Sequence, residues 1–205
     1  PPRSTLFPYT TLFRSTPFRY LEKVILPNIA KNISNPNIPI RILSAPCSTG
    51  QEVYSVAIIA HYLSKNHLIK NPIEIIGLEI DKKSLEKAKS GIYRKEEIKN
   101  ISSASFQENF EALGNNEFQI KPILKAYCRW ILHDLFNPLN LKEQFDLVLC
   151  RNFLIYISAN EQFQIINNLK RNFKKDTYLM LGITEGFQLM NVSDFRVEKD
   201  RKSVV

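Results

Sequence analysis

The chain has 205 residues, of which 44% are hydrophobic and 23% are charged, and its formal net charge is +8. This length allows one domain with a substantial core and is short for two, while no apolar run approaches the roughly 20 residues of a membrane span. The lysines alternate with glutamates and form no basic run interleaved with aromatic residues, so the charge does not indicate a nucleic-acid groove. It indicates a solvated face, with an acidic protein partner as the alternative.

The cysteines and histidines predict neither a disulfide framework nor a metal site. Cys47, Cys128 and Cys150 lack CxxC spacing and are odd in number, and the three histidines are scattered. The N-terminus has no charged region followed by an apolar one, as a secretory signal has. We therefore expect free thiols in a cytoplasmic protein.

The first half of the chain alternates between helical and extended patterns. Apolar residues recur at helical spacing over residues 18–26, and a polar Asn/Pro stretch follows at residues 32–39. "IRILSAPCSTG" predicts a buried strand with its turn, and "QEVYSVAIIAHYL" predicts a helix. "IEIIGLEI" predicts a second strand, and "DKKSLEKAKSG" predicts a helix capped by Asp81 at its start and by Gly91 at its end.

The second half continues the alternation. "FQIKPIL" and "YCRWILHDL" are predicted to be extended, and "FDLVLC" and "TYLMLGI" to be strands. Between the last two strands, "NEQFQIINNLKRNF" predicts an amphipathic helix with Phe163, Ile166, Leu169 and Phe173 facing inward. Strands alternating with helices predict an open, mostly parallel α/β sheet, which binds ligands at the carboxyl ends of its strands.

The stretch "SAPCSTGQEVYS", residues 44–55, predicts a ligand-binding turn. Small residues between a strand and a helix allow a ligand to approach the backbone, and the helix N-terminus offers unpaired N–H groups. The pattern is not GxGxxG, which weakens a dinucleotide interpretation, and it lacks GxxxxGK[ST], which excludes a P-loop. Taken alone, the turn could also be a plain strand–helix connection.

Two further strand ends carry polar residues. Glu79 stands at the end of "GLEID", about where nucleotide-binding folds hold a ribose hydroxyl pair. Arg151 and Asn152 directly follow the apolar strand "FDLVLC", and polar groups there are costly unless they have partners. We interpret these residues, with Tyr156 shortly after them, as facing a ligand. The alternatives are a surface carboxylate, a helix cap and a packed tyrosine.

Four motifs together resemble the CheR-type chemotaxis receptor methyltransferases. They are "SAPCSTGQEVYS", "GLEIDKKSLEKAKSGIY", "CRNFLIY" and "LMLGITEGF", where that family typically has CSTGEEPYS, DIDxxxLEKARSGIY, CRNxLIY and GxSE. The resemblance covers about residues 18–198 in order. It implies an α/β fold: a Rossmann-like class I methyltransferase sheet with helices on both faces and a small inserted antiparallel β subdomain at about residues 92–133.

The resemblance implies a protein-glutamate O-methyltransferase that uses S-adenosylmethionine. Its reaction would form methyl esters on the cytoplasmic domains of membrane chemoreceptors, and the small subdomain would recognise an extended peptide by strand addition. The protein would be a monomer, not inserted in the membrane and not bound to nucleic acid. The alternatives are a non-catalytic cofactor-binding sensor or scaffold, and a class I methyltransferase that acts on another substrate.

The same motifs supply the site residues that the resemblance implies. Tyr156 would position the acceptor glutamate, and Arg151 would lie beside it as a second catalytic residue. A carboxylate is already a nucleophile and a sulfonium an activated donor, so alignment and desolvation carry the catalysis and Tyr156 need not act as a base. The residues implied for cofactor binding are Ala45, Cys47, Gln51, Glu79, Asp134, Leu135, Arg151 and Asn152.

Some positions depart from the family pattern. Gln51 stands where the family has a cofactor-contacting glutamate, which removes a charge that could pair with the ammonium group of the donor. Pro46, Val53 and Asp134 replace Gly, Pro and Asn, and residues 183–184 are Ile-Thr instead of His-Ser. Together these departures bear on the affinity for the cofactor and on the exact substrate.

Both ends of the chain are predicted to be foreign to the protein. Residues 1–15 and 200–205 back-translate, in opposite orientations, into parts of one common high-throughput sequencing adapter, and such segments are excluded from fold reasoning. The family's N-x-T-x-F-F-R segment, which contacts the cofactor, would fall near residues 11–13, where "TLF" stands. We therefore expect an N-terminally truncated methyltransferase domain at residues 16–199, with weak or absent activity.

Overall fold

The computed structural model describes residues 16–98, 103–182 and 185. Helix α1 consists of three successive segments, of which the middle one is π-helical: Thr16–Tyr20, Leu21–Ile25 and Leu26–Asn32. The other helices are α2 (Gln51–Lys65), α3 (Lys82–Ser90), α4 (Ser103–Asn109), α5 (Pro122–Lys125) and α6 (Ala159–Lys170). Two short 3₁₀ segments span Lys95–Ile98 and Leu154–Tyr156.

The described strands form two sheets. They are β1 (Ile40–Ser44), β2 (Ile73–Glu79), β3 (Ile92–Arg94), β4 (Phe110–Gly114), β5 (Glu117–Ile120), β6 (Cys128–Leu132), β7 (Phe145–Cys150) and β8 (Phe173–Leu181). The larger sheet has the order β6-β2-β1-β7-β8, and every neighbouring pair is parallel. The chain order reverses between β1 and β7, where an open α/β sheet typically binds its ligand.

The apolar residues of the central strands point alternately into two cores. Ile40 and Ile42 of β1 belong to the core that helices α1 and α2 cover. Leu43 belongs to the core on the other face, which Ile165 and Leu169 of α6 cover. Burying each such side chain stabilises the fold by about 1.5–3 kcal/mol. The predicted α/β class, with a parallel sheet and helices on both faces, is confirmed.

The small antiparallel sheet has the order β3-β5-β4. Ile92 pairs with Gln119, and Phe110 pairs with Ile120. The predicted range of the inserted subdomain, 92–133, is too long, because β6 is the edge strand of the large sheet and pairs in parallel with β2. The positions of β6 are partly buried or exposed, and none is fully buried, which is compatible with an edge strand of either sheet.

The helix predictions were confirmed at α3 and were partly wrong at α6. Asp81 accepts a hydrogen bond from the Ser84 amide at 2.9 Å, and Gly91 ends α3 in the left-handed conformation with φ = 61°. Phe163 of α6 is 48% exposed, although its spacing predicted an inward side chain. The polar residue Gln162 is buried instead, and its amide donates to two backbone carbonyls.

Several predictions lie outside the described residues. They concern the adapter-derived ends at residues 1–15 and 200–205, the replacements at residues 183–184, and the domain end at residue 199. Among the helices that the structure describes, none combines the length and apolarity needed to cross a membrane.

Candidate active site

The polar residues predicted to bind a ligand lie at one edge of the large sheet. The turn at residues 45–50 follows β1, Glu79 ends β2, Asp134 follows β6, and Arg151 follows β7. Because these strands are parallel neighbours, their carboxyl ends meet at the same edge. The structure therefore brings together residues that are up to about a hundred positions apart in the sequence.

The turn after β1 is shaped by residues with positive φ. Ser48 has φ = 49° and Gly50 has φ = 92°, and helix α2 begins at the next residue, Gln51. The Gly50 amide donates to the Cys47 carbonyl at 3.0 Å, which closes the turn. Gln51 is buried, and its Oε1 accepts a hydrogen bond from the Thr49 hydroxyl at 2.7 Å. The oxygen of Gln51 is therefore engaged by the turn itself.

The turn packs against α3 and β6 so closely that glycine is required at its last position. A Cβ at Gly50 would lie 2.8 Å from the Cβ of Ala88 and 3.0 Å from Cη2 of Trp130. Gly77 of β2 meets the same ring, since a Cβ there would lie 2.8 Å from Cε3 of Trp130 and 2.9 Å from Sγ of Cys47. Both glycines thus let the Trp130 ring lie against the turn.

Glu79 connects the turn after β1 with the end of β2. Its carboxylate accepts hydrogen bonds from the amides of Ser48 at 2.8 Å, Ile80 at 2.9 Å and Asp81 at 3.0 Å. A carboxylate offers about four acceptor positions, so these donors leave room for one further hydrogen bond. A ligand hydroxyl at this edge could donate that bond, as the sequence predicted for a ribose.

Arg151 is engaged by a partner that the sequence analysis did not identify. Its Nη1 lies 3.1 Å from Oε2 of Glu52, and the Arg151 side chain is only 7% exposed. The other oxygen of Glu52 accepts from the Ser44 hydroxyl at 2.8 Å, and the guanidinium lies over the Phe18 ring at 5.2 Å. Burial raises the pKa of the Glu52 carboxyl, and Arg151 partly opposes this increase. A direct role of Arg151 toward a ligand stays a prediction.

Asn152 and Tyr156 lie on the connection that follows β7, and both are exposed. Asn152 has φ = 59°, which turns the chain away from the strand direction directly after Arg151. Tyr156 ends the 3₁₀ segment and is 54% exposed. Their accessibility is compatible with contacts to a ligand or a substrate, and these roles stay predictions.

The contacts that the structure describes for Asp134 and Leu135 stabilise the fold. Asp134 accepts hydrogen bonds from the Phe136 amide at 3.0 Å and the Asn137 side chain at 3.2 Å, so it holds the turn after β6. Leu135 is buried, and its carbonyl accepts from the side chain of Asn168. The pair is near the edge of the sheet, and its predicted contact with a cofactor stays a prediction.

Three exposed apolar residues at the same edge were missed by the sequence analysis. Ile80 follows Glu79, Leu132 ends β6, and Ile155 precedes Tyr156, and each of the three side chains is at least half exposed. Large apolar side chains at or just beyond the ends of strands are a signal that the sequence contained. Each offers an apolar group at the edge that carries the polar residues, and a site for an organic ligand combines both kinds of group.

All three cysteines are free thiols. Burial raises the pKa of Cys47 and Cys150 well above the ordinary value and that of Cys128 to about 12. Among the residues that the structure describes, no group of three or more His, Cys, Asp or Glu side chains could hold a metal ion.

Comparison with known proteins identifies the family. Residues 9–204 match the family model described as "CheR methyltransferase, SAM binding domain". The chain is 32% identical over 186 residues to the "Chemotaxis protein methyltransferase" of Borreliella burgdorferi, a match that covers 86% of this chain and 64% of that protein. It is also 32% identical over 189 residues to "Chemotaxis protein methyltransferase 1" of Pseudomonas aeruginosa, covering 90% of this chain and 68% of that protein.

The chain spans about two thirds of the length of the curated relatives that it matches. Among solved structures, the glycopeptide N-methyltransferase MtfA complexed with sinefungin has a TM-score of 0.47 and 9% identity, over 81% of this chain and 48% of that chain. A similarity of that size is no basis for a statement on function. The family model spans most of the sequence, so the chain belongs to the CheR methyltransferase family and carries its SAM-binding domain.

Proposed function

We propose that this chain is the catalytic part of a chemotaxis protein-glutamate O-methyltransferase that uses S-adenosylmethionine and forms methyl esters on the cytoplasmic domains of chemoreceptors. The observation that carries the proposal is the Glu79 carboxylate, which ends β2 and is joined to the turn after β1 by the Ser48 amide. This arrangement lies in a chain that matches the SAM-binding domain of CheR methyltransferases.

The residues at the carboxyl edge fit the chemical groups of this cofactor. Glu79 keeps one acceptor position for a ribose hydroxyl, and the exposed Ile80 beside it offers an apolar surface to an aromatic base. The first turn of α2 presents backbone N–H groups, which favour a carboxylate. When bound, S-adenosylmethionine supplies a methyl group activated by a sulfonium.

The chain's own residues need only orient the acceptor and exclude water. An ionised glutamate is a nucleophile, so no base is needed, and alignment of acceptor and donor carries most of the rate. Tyr156 is exposed at this edge, and its hydroxyl can donate a hydrogen bond that orients the acceptor carboxylate. Arg151 is paired with Glu52, so we assign it to supporting the site.

The small sheet offers a place for an extended receptor peptide. Strand β4 has β5 as its partner in the described sheet, and residues 111–114 of β4 are exposed. An added strand would pair with the unused backbone groups of such an edge. We propose β4 as the edge that a receptor segment extends.

The proposal is tested by calorimetry with S-adenosylmethionine and by transfer of tritiated methyl groups to receptor-bearing membranes. With the family's N-terminal segment restored to the protein, we expect cofactor binding and a product whose label is released by base, as a methyl ester requires. No binding contradicts the proposal. Binding without a base-labile product instead supports a sensor or scaffold, and a base-stable product supports another methyl acceptor.

The role of Tyr156 is tested by Tyr156→Phe. Because the hydroxyl orients the acceptor, we expect the variant to lower kcat for receptor methylation while the affinity for S-adenosylmethionine stays unchanged. Its pH–rate profile keeps the shape of the wild-type profile, since no proton is taken by the tyrosine. A change in the shape of that profile would contradict the positioning role.

A further inference from the structure

Glu185, in the motif "GITEG" that follows β8, accepts hydrogen bonds from four backbone amides. Its Oε1 accepts from Phe153 at 2.6 Å and Leu154 at 2.8 Å. Its Oε2 accepts from Asn152 at 2.8 Å and Gly182 at 2.6 Å. The side chain is only 4% exposed. One buried carboxylate thus joins the chain after β7 to the chain after β8.

These four donors saturate the carboxylate. A carboxylate has about four acceptor positions, and charge-assisted bonds to backbone amides are about twice as strong as neutral ones. The three consecutive amides at residues 152–154 can point to one acceptor because Asn152 has φ = 59°, which produces the concave arrangement that binds anions. Gly182 is glycine because a Cβ there would collide with Oε2 of Glu185.

The carbonyl groups of the same connection have a second clamp. The buried amide of Gln162 donates to the carbonyls of Leu154 at 2.9 Å and Ile157 at 3.2 Å. Backbone donors of residues 152–154 are therefore held by Glu185, and carbonyls of residues 154 and 157 by Gln162. The side chains of Asn152, Ile155 and Tyr156 remain exposed at the edge of the sheet.

We propose that Glu185 is a positioning residue of the methyl-transfer site: its carboxylate fixes the connection 152–156 so that Asn152 and Tyr156 face the cofactor and the acceptor. This inference rests on the proposed function, since it uses the roles given there to those two residues. Glu185 acts through the backbone and takes no part in the reaction itself.

Glu185→Gln tests the proposal because it keeps the shape and replaces one acceptor oxygen with a donor. Whichever oxygen is replaced, two of the four amides lose their acceptor, so we expect their hydrogen exchange to accelerate roughly ten- to a hundredfold. The affinity for S-adenosylmethionine should fall by a similar factor, and kcat for receptor methylation should fall as well.

Asn172→Ala is the matched control. Asn172 is also buried and also holds a loop by two hydrogen bonds, to the carbonyls of Leu141 and Glu143, next to the amino end of β8. The control should lose stability in urea while the cofactor affinity and kcat of the folded protein stay unchanged. Equal losses of cofactor affinity in the two variants would overturn the positioning role.

The exchange measurement separates this proposal from the proposed function. In the wild-type protein the amides of residues 152–154 should be protected, although they lie in a connection, and this readout needs no cofactor. Absent protection overturns the role of Glu185 even where Glu185→Gln fails to fold. Absent cofactor binding with protected amides contradicts the proposed function, and with it the positioning role, while leaving the Glu185 clamp intact.

Discussion

Arg151 and Glu52 form a buried ion pair, with 3.1 Å between Nη1 and Oε2, across a separation of 99 positions in the sequence. The pair joins the end of β7 to the first turn of α2, and Ser44 at the end of β1 completes it through Oε1 of Glu52. The ends of β1 and β7 and the start of α2 are thereby held together where the chain order of the sheet reverses.

Arg151→Met should destabilise the fold because it leaves the buried Glu52 carboxylate without its counter-charge. Removing one partner of a buried pair costs about 3–5 kcal/mol, measured as the free energy of unfolding in urea at pH 7. The matched control is Arg41→Met, which breaks the more exposed pair with Glu74 at 2.9 Å and should cost about 0–1 kcal/mol. Similar losses in the two variants would contradict the structural role of the pair.

The effect of Arg151→Met should also depend on pH. Burial raises the pKa of Glu52 above 4.5, so the folded protein binds this proton more readily than the unfolded chain does. Glu52 therefore contributes stability at low pH that is lost as the pH rises through its folded pKa. Without Arg151 that pKa rises further, so the stability difference between wild type and variant should widen from pH 4 to pH 8. A constant difference would speak against the charge as the cause.

Gly50→Ala and Gly114→Ala separate backbone strain from close packing. Both glycines have nearly the same positive φ, 92° and 93°, so both substitutions carry a similar conformational cost of about 1–2 kcal/mol. A Cβ at Gly114 meets no atom within 4 Å, whereas one at Gly50 meets Ala88 and Trp130. Urea unfolding should show an additional loss of about 1–3 kcal/mol for Gly50→Ala. Equal losses would show that the turn can move away from α3.

Glu79→Gln should weaken the binding of S-adenosylmethionine roughly ten- to a hundredfold. The NH₂ group of the new side chain would face backbone N–H groups that now donate to the carboxylate. The site would also lose an acceptor for the cofactor. Glu86→Gln is the control, because Glu86 is exposed on α3 and lies 4.0 Å from Lys82. Calorimetry should give the wild-type affinity for the control, and an unchanged affinity for Glu79→Gln would exclude Glu79 from the site.

The thiols should react slowly in the folded protein. Burial raises the pKa of Cys128 from 9.0 to about 12, which lowers its thiolate fraction roughly a thousandfold. Cys47 and Cys150 are buried, and burial raises the pKa values of their thiols as well. Ellman's reagent at pH 8 should therefore titrate all three cysteines quickly in urea and only slowly without it. Fast labelling of the folded protein would contradict the burial of the thiols. The raised pKa values also mean that the free energy of unfolding should fall as the pH rises above 9.

The order of elements was predictable because its signals are local. Asp81 and Gly91 mark the ends of α3 through cap chemistry, and β7 is a run of six buried residues. The pairing of β6 was not predictable, since the pattern of apolar residues within a strand does not indicate which strand lies alongside it. Helical spacing also failed to predict that Phe163 is exposed. The spacing does not indicate which backbone carbonyls need a buried donor, and Gln162 is buried because its amide donates to two of them.

The sequence identified which segments form the site better than it identified the contacts within them. Glu79 stands where its motif predicted, at the end of β2 and bonded to the turn after β1. The partner of Arg151 is about a hundred positions away in the sequence, and a partner of Glu185 is about thirty positions away. No local sequence pattern predicts contacts over such separations. The contact of Arg151 with the cofactor stays a prediction.

Trp130 is the single tryptophan of the sequence, and its ring packs against Gly50 and Gly77, beside the Tyr54 ring at 5.4 Å. Its indole therefore lies directly behind the turn that the proposed cofactor would contact. The chain carries a built-in fluorophore at this place, and its emission can be assigned to one position without labelling. Occupation of the turn can then be followed in real time, in unmodified protein and at concentrations far below those that calorimetry requires.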